Sequence, residues 1–166
     1  MTFAVYVPDH EDGAKLPLLW YLSGLTCTHA NVMEKGEYRR LASELGLIIA
    51  APDTSPRGAG VPDDPAYDMG QGAGFYVDAT EEKWSGHFRM RSYIEQELPK
   101  LVAANFPADM KRQGIFGHSM GGHGALTIAL RNPKTFKSVS AFAPIVSPTT
   151  VPWGQKALGH YLGINK

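Results

Sequence analysis

Residues Ile115-Phe116-Gly117-His118-Ser119-Met120-Gly121-Gly122 run from an apolar pair straight into a glycine-flanked serine, and Gly124-Ala125-Leu126 continues with helix-compatible composition. The order is strand, tight turn, helix. Glycines two before and two after Ser119 fit a turn whose entering and leaving backbones crowd each other, leaving no room for side chains. Such a turn lifts one hydroxyl clear of the chain, and the start of the following helix favours the negative charge that builds up in acyl transfer. Ser119 is therefore the candidate nucleophile, and the Met120 amide is one candidate oxyanion donor. A second donor is expected from a loop after an earlier strand. Leu22-Ser23-Gly24-Leu25-Thr26-Cys27 follows the apolar run Leu16 to Leu22 and supplies Leu25. A plain glycine turn is the alternative reading at both places.

Outward from this turn, the chain reads as alternating strands and helices. Phe3, Val5 and Val7 alternate on one face of a half-buried strand closed by Pro8. Leu16 to Leu22 and Leu47 to Ala51 are short all-apolar strands, the kind found in a sheet covered on both faces. Between them, Leu41 and Leu45 have helical spacing, and Gly46 sits at the C-terminal cap position. That order predicts a parallel α/β sheet. Arg89 to Phe106 resumes helical spacing, with Pro99 as a possible kink. Ile115-Phe116 is a brief strand, Ala125 to Leu130 a small-residue helix, and Val139 to Pro144 another strand. Residues 52–86 show neither period, and about 35 residues far exceeds the usual loop of roughly 4–6. Tyr67, Phe75, Tyr76 and Trp84 within it argue for an ordered loop. Trp84, Phe88 and Trp153 are expected either to wall the substrate site or to pack in the core. Asp63, Asp64 and Asp68 read as solvated.

The 166 residues suffice for one domain, and 43% hydrophobic residues can build a core. Sixteen basic and sixteen acidic residues give zero net charge, which offers nucleic acid or an anionic membrane no clustered basic surface. The lone Cys27 cannot form an internal disulfide or a thiolate metal cluster. No metal-binding histidine pair occurs, no basic-then-apolar leader opens the chain, and no apolar run approaches the roughly 20 residues of a membrane span. These features predict a soluble, cytoplasmic protein.

Five blocks, in order, then carry a specific resemblance. They are Ser23-Gly24-Leu25-Thr26-Cys27-Thr28, Asp53-Thr54-Ser55-Pro56-Arg57-Gly58, Gly72 through Thr80 (GAGFYVDAT), Phe116 through Leu126 (FGHSMGGHGAL), and Pro152-Trp153-Gly154-Gln155-Lys156-Ala157. Together they resemble the S-formylglutathione hydrolase (esterase D) family. The resemblance implies an α/β-hydrolase fold, a mostly parallel sheet with helices on both faces. It also implies a serine thioesterase that cleaves S-formylglutathione to formate and glutathione during formaldehyde detoxification, and that hydrolyses simple esters. Ser119 then maps to the nucleophile, and Leu25 and Met120 to the oxyanion hole. Cys27 maps to a thiol near the substrate; its other reading is a small buried hydrophobe. The resemblance implies no cofactor and a small-molecule thioester or ester as partner, with a homodimer open.

One part of the family pattern is absent. After Ser119 the sequence holds no Asp or Glu, and its histidines there are His123 and His160. The family carries its acid and base histidine well downstream. His118 and His123 read as structural members of the turn block. Asp53 and Arg57 read as loop architecture, with Arg57 anchoring a neighbouring loop. The expectation is a partial α/β-hydrolase domain over residues 1–166, with a long functional loop at about 52–86 and segments missing at both ends. It would dimerise or associate with those segments. Two other classes stay open: a non-catalytic binding or scaffold protein on this frame, and a different esterase or acyltransferase.

Overall fold

The computed structural model describes residues 1–163. Five strands form one sheet: β1 (Phe3–Tyr6), β2 (Leu16–Leu22), β3 (Ile48–Pro52), β4 (Ala108–His118) and β5 (Phe136–Phe142), in the spatial order β1-β3-β2-β4-β5. β1 is antiparallel to β3, and β2, β3, β4 and β5 are mutually parallel. The helices are α1 (Ala30–Lys35), α2 (Arg39–Glu44), α3 (Glu82–Ser85), α4 (Met90–Ser92), α5 (Leu98–Asn105), α6 (Met120–Arg131) and α7 (Pro152–Leu162). No helix among the described residues is long and apolar enough to cross a membrane.

The core follows the apolar runs. Leu18, Trp20 and Leu22, at alternate positions of β2 and so on one face, are buried in one cluster with Ile48, Ala50 and Ile115. Burying each large side chain contributes roughly 1.5–3 kcal/mol. β3 is buried along its whole length, as an all-apolar strand in a covered sheet should be.

Several elements depart from expectation for identifiable reasons. β4 has eleven residues rather than a brief pair. Its polar start is stitched in by side chains: Trp20 Nε1 donates to Gln113 Oε1 at 2.8 Å, and Gln113 Nε2 donates to the Met110 carbonyl at 2.7 Å. The register shifts at Gln113/Gly114. Leu41 and Leu45 of the α2 segment face solvent, and Ala42 is its buried residue; apolar spacing fixes a helical period but not its phase. The segment from Met90 to Asn105 widens into a π-helical turn at Tyr93–Glu97, where the Leu98 amide reaches back to the Tyr93 carbonyl. Pro99, four residues after Glu95, has no N–H with which to close the ordinary ladder.

The Gly46 cap forms as expected. Gly46 has φ +63°, the Leu47 amide donates to Ala42 at 2.8 Å, and the Gly46 amide donates to Ser43 at 3.2 Å, a Schellman pair of bonds.

Candidate active site

Because β2, β3, β4 and β5 run the same way, their carboxyl ends meet along one edge, where open α/β sheets place their ligands. Ser119 lies there, one residue past β4, at φ 56° and ψ −119°. That conformation is strained for any residue with a Cβ and costs on the order of 1–3 kcal/mol. The surroundings hold it. The Ser119 amide donates to the Phe142 carbonyl at 2.9 Å, and its own carbonyl accepts from the His123 and Ile145 amides at 3.1 and 3.2 Å. The flanking glycines are sterically required. A Cβ at Gly117 would run into the Gly121 carbonyl, and one at Gly121 into the Leu22 carbonyl.

The 23–28 loop comes against this turn. A Cβ at Gly24 would stand 3.3 Å from Ser119 Cβ and 3.4 Å from the His118 carbonyl oxygen. Ser119 and the residue before Leu25 are thus in contact, although 95 positions separate them in the chain. Among the described residues, neither the Leu25 nor the Met120 amide donates to a protein carbonyl, while the next amides along the loop do: Thr26 to Gly72 at 2.9 Å and Cys27 to Gly24 at 3.3 Å. Met120 itself is fully buried and opens the twelve-residue α6. The arrangement presents a hydroxyl, two uncommitted amides and a helix N-terminus at the convergent strand ends.

The long loop supplies the scaffolding. Asp53 is buried; its Oδ1 accepts from the Thr54 amide at 2.7 Å and from Arg57 Nε at 2.9 Å. Arg57 Nη2 then donates to the Cys27 carbonyl at 2.9 Å, and Thr54 Oγ1 donates to the same oxygen. Arg57 is therefore the loop anchor the sequence suggested, acting on the segment that carries Leu25. Cys27 is half-buried with a free thiol. A group added to its sulfur would load a loop whose backbone is clamped from three sides.

Sequence reasoning gave the aromatic residues a looser role. Trp84 is only 2% exposed, edge-on to Phe88 and Tyr161 with centroids at 5.0 and 5.1 Å. This corrects the expectation of a substrate wall for Trp84 and Phe88, because Tyr161 of α7 covers both. The Tyr161 hydroxyl donates to the Ala73 carbonyl and accepts from the Gly70 amide, both at 2.8 Å, which ties α7 to the loop. Trp153 is 40% exposed, with its ring 6.5 Å from Phe75. Asp68, expected to be solvated, is buried and bonded to Lys156 Nζ at 2.8 Å. Tyr76, assigned no role from sequence, is fully buried, and its hydroxyl donates to the Ser23 carbonyl at 2.9 Å. The sequence signals for it were its place in the Gly72 to Thr80 block and among the aromatic residues that argued for an ordered loop.

The two histidines that follow Ser119 each bond a backbone carbonyl. His123 Nδ1 lies 3.1 Å from the Ile145 carbonyl, an acceptor, so Nδ1 carries the proton. Burial holds this imidazole below its ordinary value, against the opposing effect of that hydrogen bond. His160 Nδ1 is bonded to the Lys156 carbonyl at 2.7 Å on the exposed side of α7. His118 is exposed beside Gly24.

Comparison with known proteins places this geometry. The Esterase family model matches residues 1–163. The S-formylglutathione hydrolase of Paracoccus denitrificans is 58% identical over 166 residues, the whole of this chain and 60% of that protein. The mouse (Mus musculus) S-formylglutathione hydrolase is 56% identical over 98% of this chain and 58% of its own length. The structure of an S-formylglutathione hydrolase from Agrobacterium tumefaciens superposes with a TM-score of 0.95 at 65% identity, over 98% of this chain and 59% of that one. The chain thus spans about 60% of the length of the curated relatives it matches. Its mostly parallel five-stranded sheet with flanking helices has the α/β-hydrolase fold, and the chain belongs to the Esterase family.

Proposed function

We propose that this chain carries the nucleophile and oxyanion hole of a serine thioesterase that hydrolyses S-formylglutathione to formate and glutathione, and simple carboxylic esters alongside it. The observation behind the proposal is the strained Ser119 held against the Gly24-Leu25 loop, with the Leu25 and Met120 amides uncommitted. The similarity to S-formylglutathione hydrolases supplies the substrate. Ser119 Oγ attacks the thioester carbonyl, and its proton passes to a base. The oxyanion rests between the Leu25 and Met120 amides. The C–S bond then breaks, and the departing thiolate takes the proton. Water attacks the formyl-serine by the same route and releases formate. His10, His123 and His160 bond carbonyls, His87 and His118 lie exposed, and His29 is half-buried with its Nδ1 unpartnered; we assign the base to the additional length that the relatives possess. A cytoplasmic location fits a single unpaired cysteine.

The test is fluorophosphonate labelling of the full protein with peptide mapping, together with S-formylglutathione and p-nitrophenyl acetate turnover. The expected result is label on Ser119 alone and turnover of both substrates. Label on another serine removes the assignment, and turnover of the ester only removes the substrate.

A further inference from the structure

Resting on that reading, we infer that Tyr76 is a positioning residue for the reaction: its buried hydroxyl sets the Ser23–Gly24 peptide and so aims the Leu25 amide at the oxyanion. The inference starts from a conformational anomaly. Gly74 and Val77 close a turn, with the Val77 amide donating to the Gly74 carbonyl at 3.3 Å, and the two residues between them are Phe75 at φ +50° and Tyr76 at φ +54°. Turn positions with positive φ belong to Gly or Asn, and a bulky aromatic there is strained. Two in succession are kept only where the surroundings require their side chains.

Each side chain has such a requirement. Phe75 packs 6.3 Å from the Tyr161 ring, within the aromatic cluster that docks α7. Tyr76 goes the other way, towards the site. Its ring lies against α6, where a Cβ at Gly124 would stand 2.6 Å from Tyr76 Cδ2, so this helix is glycine where the ring passes. Beyond the ring, the hydroxyl donates to the Ser23 carbonyl at 2.9 Å. Tyr76 therefore touches both halves of the candidate site: the helix that follows Ser119 and the loop that carries Leu25.

The position of that bond matters. The Ser23 carbonyl belongs to the peptide immediately before the one bearing the Leu25 N–H. Downstream, the loop is fixed by the Thr26 amide to Gly72 and by Arg57 to the Cys27 carbonyl. Upstream, beyond the end of β2, Tyr76 holds the Ser23 carbonyl, while the Ser23 hydroxyl donates within the loop to the Thr28 carbonyl at 3.3 Å. Burial pushes the phenol well above its ordinary value, so it remains a donor throughout the working pH range. A neutral donor fixed in a dry site orients the next peptide without carrying charge itself, and such preorganisation acts on the transition state rather than on substrate binding.

The test is Tyr76→Phe in the full protein, which keeps the ring and removes the one donor. The expected result is a fall of about tenfold in kcat for both S-formylglutathione and p-nitrophenyl acetate, with KM within about twofold. Affinity for benzeneboronic acid, which forms a tetrahedral serine adduct, should fall by about the same factor as kcat. Replacing Tyr76 with p-aminophenylalanine, which restores an N–H donor at the same place, should recover most of the loss. Unchanged kcat and boronate affinity overturn the inference, as does a loss confined to KM. A Tyr76→Phe protein that fails to fold, or whose lost turnover equals its lost folded fraction, also overturns it, because the hydroxyl is then structural. A wild-type protein that turns over p-nitrophenyl acetate but not S-formylglutathione leaves this inference standing and removes only the proposed substrate. Wild-type inactivity on both removes the two together.

Discussion

At Ser119 the backbone is bent into a region that L-residues avoid, and glycines on either side make the bend possible. The tightest of these approaches is at Gly121, where an added Cβ meets the Leu22 carbonyl and then the Ser23 carbonyl at 2.6 Å. Both obstacles are backbone, so neither can swing aside. Gly121→Ala is expected to cost about 2–3 kcal/mol of stability, read as a lower urea midpoint, and to lower turnover further by pushing α6 off the loop. His123 makes a second prediction. Burial depresses its folded-state pKa below 6.5, so the unfolded chain takes up a proton at a higher pH than the folded protein does. Its contribution is therefore intact above pH 6.5 and is lost as pH falls through the folded-state value. His123→Asn keeps an N–H for the Ile145 carbonyl but does not titrate. The wild-type urea midpoint should drop more steeply between about pH 7 and 5 than that of the variant; parallel curves would show that His123 does not carry the dependence.

Among the elements, α2 shows how little a short helix needs in order to be fixed. It has six residues, buries Ala42, and ends in a glycine at φ +63°. At Gly46 the nearest atom to an added Cβ is Leu16 Cδ2 at 4.0 Å, so the site has room and the only penalty is conformational. Gly46→Ala should destabilise by about 1–2 kcal/mol, and Gly46→Asn by less, since Asn tolerates the left-handed region. Equal effects in denaturant titrations would show that volume, not φ, governs the position. The π-helical turn at Tyr93–Glu97 has a local contributor too, the missing donor at Pro99, while Tyr93 and Ile94 within it are buried in the core.

Over the whole molecule, burial is uneven. β3 is enclosed, whereas β5, the last strand of the sheet order, is largely exposed: Val139 is 38% and Phe142 57% accessible. A parallel strand with both an open edge and exposed apolar side chains templates association. A preparation of residues 1–166 is expected to self-associate in sedimentation velocity, and Val139→Lys to shift it towards monomer; a monodisperse unsubstituted chain would contradict this. The sequence by itself determined the strand-turn-helix at Ser119, the glycines around it, the loop bearing Leu25, the Gly46 cap and the parallel pairing of the apolar strands β2 and β3, but not the antiparallel β1. Each is encoded within a few neighbouring residues, by steric exclusion or by a contiguous apolar run. Only the tertiary structure decided that Trp84 is core, that Leu41 and Leu45 face out, that β4 begins at Ala108, that Tyr76 holds the loop beside Ser119, and which loop Arg57 anchors. Those outcomes rest on contacts between distant segments, Tyr76 to Ser23 across 53 positions and Arg57 to Cys27 across 30. Local pattern fixes a side chain's chemistry and period, while its partner is chosen by the packing of the whole chain.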